Sequence, residues 1–288
     1  MVSLFRIVIR YIVPLIMLSV STFAAEKLKP EELIAKHLDS IGSQEERSKS
    51  TVREVVGTVH MAFLTGGSGS LEGTLRLDST GQKNSTRMTF SNTNYQKEAF
   101  VFDGTKVSIG HIHPGARSRL GALLDSQSQI VKEGLLAGVL STAWPLYDTQ
   151  KYHGKISSDG VKKIDGRELY QLSYNPKKGD MSVKLFFEPG TFRHVMTVYS
   201  LVRPPSMVAG GELANAHQTA AHIVLEEHFE DFKTTNGFTL PTKWWIRLSS
   251  EGDVNGPTGV TSATSVMEWR MDLQDFKAEG DPPPFEAE

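Results

Sequence analysis

The sequence predicts a mainly β fold with flanking helices, built on one antiparallel sheet. Three observations carry this. Apolar residues alternate with polar ones over most of the chain, the breaks between these runs have turn chemistry, and only one long internal stretch has helical spacing.

Taken in order, residues 1–25 have the layout of an export signal. Arg6 and Arg10 precede an uncharged run from Tyr11 to Val20, and small residues follow up to Ala25. The apolar core is too short to cross a bilayer as a helix, and Pro14 interrupts it. Cleavage is expected near Ala24 or Ala25, which places the mature chain in the periplasm. Pro30 to Ile41 then reads as an amphipathic helix. Pro30 suits the first helical position, Glu31 and Glu32 suit the N-terminal turn, Leu33, Ile34, Leu38 and Ile41 share a face, and Gly42 ends it.

From Val52 the period becomes two. Val55, Val59, Met61 and Phe63 form the first run; Leu71, Leu75 and Leu77, then Met88 and Phe90, then Phe100 and Phe102 form the next three. Gly66 to Gly69, Ser79 to Gly81, Asn92 to Asn94 and Asp103-Gly104 separate them, the last reading as a two-residue hairpin turn. A meander is the economical topology. Between Pro114 and Tyr147 the spacing turns helical, with Leu120, Leu123, Leu124, Ile130, Val131, Leu135, Val139 and Leu140; a helical insertion is expected over about 116–142. Gly134 and Gly138 within it permit close approach to another surface. Seven further strands follow between Lys155 and Phe276, punctuated by Asp165-Gly166, Pro189-Gly190 and Asn236-Gly237, making about eleven in all. Helices segregated from a run of strands point to a single domain over 26–278, not to βαβ units. The proline-rich, acidic tail, 279–288, is expected to be disordered.

Composition excludes several function classes. Without the signal the chain holds 29 basic and 33 acidic residues, a net charge of −4, interspersed and without a basic tract, so no nucleic-acid surface is expected. The chain has no cysteine. That excludes disulfides, thiolate metal sites and a cysteine nucleophile, and leaves a lipid anchor nothing to attach to at the cleavage point.

The chemical motifs mostly have plain explanations. Gly66, Gly67 and Gly69 lack the Gly-Lys-Ser/Thr of a phosphate loop. His111 and His113 lie two apart, as a ligand pair would, but no third ligand is nearby; His222 and His228 are too far apart along a strand to share an ion. No metal or cofactor is expected. Glu226, Glu227, Glu230 and Asp231 read as a solvated outer face, and no grouping of serine, histidine and acid is recognisable from spacing. What remains is a set of strand aromatics, including Phe100, Phe102, Phe186, Phe187, Trp244, Trp245 and Trp269, on a sheet with few helices to cover it. The concave face of such a sheet is filled either by helices or by a ligand.

Three segments carry a family resemblance: Phe102 to Val107 (FDGTKV), Leu185 to Arg193 (LFFEPGTFR) and Phe229 to Pro241 (FEDFKTTNGFTLP). Together with the opening helix they resemble the LolA-like outer-membrane lipoprotein-sorting proteins, with their LolA/LolB-type lipid-binding fold. The resemblance implies an incomplete antiparallel β-barrel closed by helices, with an apolar cavity for acyl chains and no catalytic residues. The insertion would then be a lid, and Met61, Phe63, Leu75, Leu77, Met88, Phe90, Phe100, Phe102, Leu123, Leu135, Trp244 and Ile246 would line the cavity. It further implies a non-enzymatic periplasmic protein that binds lipid or an acylated lipoprotein, carrying it between envelope membranes with transient contact to a membrane or envelope partner. The alternative is a structural or interaction module of the envelope with no lipid cargo.

Overall fold

The computed structural model describes residues 28–151, 154–203, 221–256, 259–278, 280 and 284–286. The export signal expected over 1–25 and the 204–219 segment lie outside the described residues.

Two meanders share one sheet. β1 (Val52–Thr65), β2 (Ser70–Thr80), β3 (Lys83–Phe90), β4 (Lys97–Phe102) and β5 (Val107–Ile109) step outward from the middle. β6 (Lys155–Ile164), β7 (Arg167–Asn175), β8 (Ser182–Phe187), β9 (His194–Arg203), β10 (Ala221–Thr235), β11 (Phe238–Gly256) and β12 (Gly259–Lys277) return from the far edge until β12 pairs with β1. The spatial order is therefore 5-4-3-2-1-12-11-10-9-8-7-6. Strands β5 and β6 stand at opposite edges and no pairing joins them, so the barrel is incomplete. The twelfth strand, one more than expected, is β5, whose three residues are too short to show alternation.

Turn chemistry acts where the sequence placed it, with one difference. Asp165-Gly166 and Asn236-Gly237 close two-residue hairpins with positive φ at both positions (48° and 80°, 50° and 78°), the geometry that matches strand twist. Asp103-Gly104 instead sits in a four-residue loop. There the Asp103 carboxylate accepts from Thr105 N and Lys106 N at 2.7 and 2.9 Å, so the side chain builds the turn and lengthens it.

The segment that joins the two meanders, described over 110–151, must run from one edge of the sheet to the other. It does so across the concave face, as α3 (Arg119–Ser126), α4 (Gln129–Lys132) and two 3-10 turns, Gly138–Leu140 and Pro145–Tyr147. We call this crossover the plug. It is not one long helix. Gly134 takes φ 64°, and a Cβ there would lie 2.2 Å from Ala143 O; Ala137 takes φ 67°. These positive-φ turns fold the segment back on itself, which lets Leu120, Leu124, Ile130, Val131, Leu135, Val139, Leu140, Trp144 and Leu146 all bury in the main apolar cluster.

Two helices cover one end. α1 (Pro30–Ile41) buries Leu33, His37 and Ile41, and α2 (Gln44–Lys49) is capped by the Ser43 hydroxyl, which accepts from Glu46 N. A smaller apolar cluster of Leu169, Phe186, Val195 and Met196 sits apart from the main one. In the C-terminal segment, the carbonyls of Pro284 and Glu286 accept from Arg87 Nη2 at 3.0 and 2.8 Å.

Candidate functional site: the plugged concave face

The inner face of the sheet is apolar because the alternation of each strand is in register with its neighbours. On β1, Val55, Val59 and Met61 point inward, and their partners Leu77 and Leu71 on β2 and Phe276, Met271 and Trp269 on β12 share that face. Eleven of the twelve residues named as cavity-lining are at most 5% exposed and belong to the main cluster: Met61, Leu75, Leu77, Met88, Phe90, Phe100, Phe102, Leu123, Leu135, Trp244 and Ile246. Phe63, near the end of β1, is half-buried against the same cluster. Leu123 and Leu135 belong to the plug and the other ten to the sheet.

An apolar plug on an apolar face would slide without polar fixings, and several are present. Arg53 is 2% exposed, and its Nη1 donates to Val139 O at 2.7 Å, Ser141 O at 3.4 Å and the Tyr147 hydroxyl at 2.8 Å. Glu227 is fully buried; its Oε1 accepts from Ala137 N at 2.8 Å and from Trp244 Nε1 at 3.0 Å, while Tyr199 Oη lies 2.5 Å from Oε2. Glu133, in the plug itself, accepts from the Tyr174 hydroxyl at 2.6 Å. Ser118 caps α3 by accepting from Gly121 N, and its hydroxyl also bonds the buried Glu98 carboxyl, to which Tyr95 donates. Finally, Trp144 Nε1 donates to His37 Nε2 at 3.3 Å.

Burial sets the charge of these groups. It pushes both Glu227 and Glu98 up to about 7, against the hydrogen bonds that favour their ionised forms. The Tyr199 hydroxyl lies within reach of both Glu227 and Leu135 O, at 3.1 Å from the latter, yet has one proton. The proton goes to Glu227 Oε2 when the carboxyl is ionised; once protonated, Glu227 donates to Tyr199, which then donates to Leu135 O. His37 is driven down to about 4, mainly by burial. Its Nδ1 faces the Phe192 carbonyl at 3.0 Å and so carries the proton, leaving Nε2 free to accept from Trp144. Trp144 packs against His194 as well, which burial likewise keeps neutral.

The sequence placed Glu227 on a solvated outer face, and the structure corrects this. Leu225, Glu227 and Phe229 all point inward on β10, while Glu226 and His228 point outward. His228 stacks on Trp245, with ring centroids 3.6 Å apart. His111 and His113 do not form part of a cluster; among the described residues no three histidine or carboxylate side chains converge.

Beside the plug a mainly apolar opening onto this face lies between α3 and strands β9 to β11. It has a volume of about 220 Å³, with Leu123, Ile223 and Leu248 inside, Ala122 at the lip and the exposed Arg119 and Arg203 at its rim. Arg203 Nη2 donates to Ser126 Oγ at 3.1 Å, which ties the end of β9 to the end of α3.

No family model and no curated protein matches the sequence. Solved structures do. A LolA superfamily protein from Nitrosomonas europaea is 16% identical with a TM-score of 0.47, over 88% of this chain and 96% of its own. A domain described as an outer membrane lipoprotein-sorting protein, from Vibrio parahaemolyticus, is 9% identical with a TM-score of 0.39, over 85% and 92%. A DUF1329 family protein from Desulfovibrio piger is 10% identical with a TM-score of 0.40, over 85% and 91%. The functional reading rests on this chain's own geometry.

Proposed function

We propose that the protein is a non-enzymatic periplasmic carrier or receptor for an acyl chain, from a lipid or an acylated lipoprotein, which enters between the plug and the inner face of the half-barrel. The observation that supports this most is the opening beside α3. Its interior is apolar, it leads to the cluster that the plug covers, and its rim carries Arg119 and Arg203, two cations suited to an anionic headgroup. The volume is too small for several chains, so full occupancy requires the plug to swing away. The plug suits such a motion because its fixings are a few discrete polar contacts, each exchangeable for water, and apolar surface that an acyl chain can replace one for one.

The test is solvent extraction of the purified protein with mass spectrometry of the extract, together with titration of a fluorescent fatty acid. Bound lipid or saturable probe binding is expected; a lipid-free protein that ignores the probe would refute the reading. Ala122→Trp supplies a sharper version. Ala122 is exposed at the lip, so the variant is expected to keep its stability within about 0.5 kcal/mol while closing the opening and abolishing probe binding.

The second reading, an envelope module whose plug never leaves, is favoured by how completely the inner face is already covered. Probe binding that is absent in the natural protein and also absent when the plug is loosened would select it.

A further inference from the structure

At the other end of the strands from the α3 opening, a polar concavity of about 920 Å³ lies between α2, the start of β1 and the plug's exit. The geometry points to this basin as a binding site for a phosphate group. Three cations line it, Arg47, Arg53 and Lys151, against one carboxylate, Asp148, with hydroxyl donors such as Thr51 and Thr142 between them.

Arg53 makes the case. It is 2% exposed, yet its contacts are neutral: two carbonyls, one phenol and the rings of Tyr147 and Phe238. Among the described residues it has no ion pair, and its buried Nε has no hydrogen-bond partner. A buried cation without a counter-charge is costly, and an anion in the basin lowers that cost. The neighbours do not supply one. Arg47 is turned toward the C-terminal carbonyls of α1, Leu38 O and Gly42 O, with Asp39 3.7 Å away. Asp148 accepts from the Lys151 backbone N–H, and Lys151 is exposed at the rim. The basin is left net positive around a planar guanidinium, the donor that matches phosphate oxygens. An ion held there would also compete for Arg53 with the plug carbonyls Val139 O and Ser141 O, which couples occupancy of the basin to the hold on the plug.

The site stands independently of the acyl reading, because it lies at the opposite end and involves none of the residues at the α3 opening. The phosphate can be free or part of a lipid headgroup, and calorimetric titration separates the two. Inorganic phosphate is one arm and dihexanoyl phosphatidic acid the other, each against chloride at matched ionic strength. Lys151→Glu is expected to weaken binding about tenfold, the size of one lost charge-assisted contact. Lys163→Glu, the same charge change at an exposed position on β6, is expected to leave it unchanged. The Arg53 Nε–H resonance is expected to shift on saturation. Whichever arm binds more tightly identifies the source. Binding in neither arm at millimolar concentration, equal weakening by both variants, or an unmoved Arg53 resonance would overturn the assignment.

Discussion

Replacing Arg53 by methionine is expected to lower the unfolding free energy by about 2 kcal/mol and to speed acyl-probe entry far more than that loss alone suggests. The guanidinium gives three hydrogen bonds to the plug and its exit turn. Charge-assisted bonds of this kind contribute about 1.5–3 kcal/mol each, partly offset by the cost of burying the cation, which the variant also removes. Methionine keeps an unbranched stem of similar bulk without the charge or the donors. The lost contacts are local to the plug, so the loss falls on plug opening before it falls on global unfolding. A 2 kcal/mol change there raises the open population about thirtyfold. Urea denaturation and stopped-flow probe binding measure the two effects. Reduced stability with unchanged entry would make Arg53 an ordinary core contact.

Glu227 is expected to give the second large effect, and its direction depends on the replacement. Glu227→Leu leaves Ala137 N–H and Trp244 Nε1–H buried without an acceptor, a loss of about 3 kcal/mol. Glu227→Gln is expected to cost little, because its amide oxygen accepts from Ala137 and Trp244 while its NH2 donates to Tyr199, as the protonated acid does. What the glutamine variant should change is the pH profile. The folded-state value of about 7 lies above the ordinary 4.5, so the folded protein holds the proton where the unfolded chain has lost it. Its contribution to stability is therefore full below pH 4.5 and declines as pH rises through 7, by at most about 3 kcal/mol for each such group. Glu98 follows the same course for the same reason. The buried histidines His37 and His194, whose values are lowered, act in the opposite direction and are common to both proteins, so the carboxyl effect is read as a difference: chemical denaturation between pH 5 and pH 8 is expected to show the stability of the natural protein falling with pH relative to the Glu98→Gln/Glu227→Gln double variant. A difference between the two proteins that stays constant or rises over this window would mean that both carboxyls are ionised in the fold.

The strands were readable because alternation is a local signal: Val55, Val59 and Met61 show their face without reference to any other strand. Asn236-Gly237 and Asp165-Gly166 were readable because only certain residues tolerate positive φ. The plug was visible as a change of period, but not its path, since crossing the sheet depends on β12 meeting β1, a pairing between residues more than 200 apart. The polar fixings are hard to read in the sequence for a different reason. Arg53 is in phase with Val55 and Val59, and Glu227 with Leu225 and Phe229; each breaks an apolar stripe at an inward position. That is the available signal, and at Glu227 the neighbouring acids Glu226 and Glu230 mask it, because together they look like surface. The Trp144–His37 contact, 107 residues apart, has no local signature at all.

The most direct measurement is photocrosslinking with a diazirine fatty acid, followed by peptide mass spectrometry. Adducts are expected on α3 around Leu123, on β10 at Ile223 and on β11 at Leu248, and they should disappear in Ala122→Trp. In Arg53→Met they should extend inward to Trp244 and Phe102. Absence of adducts, or adducts confined to the outer face around Trp245 and His228, would contradict an acyl site beneath the plug.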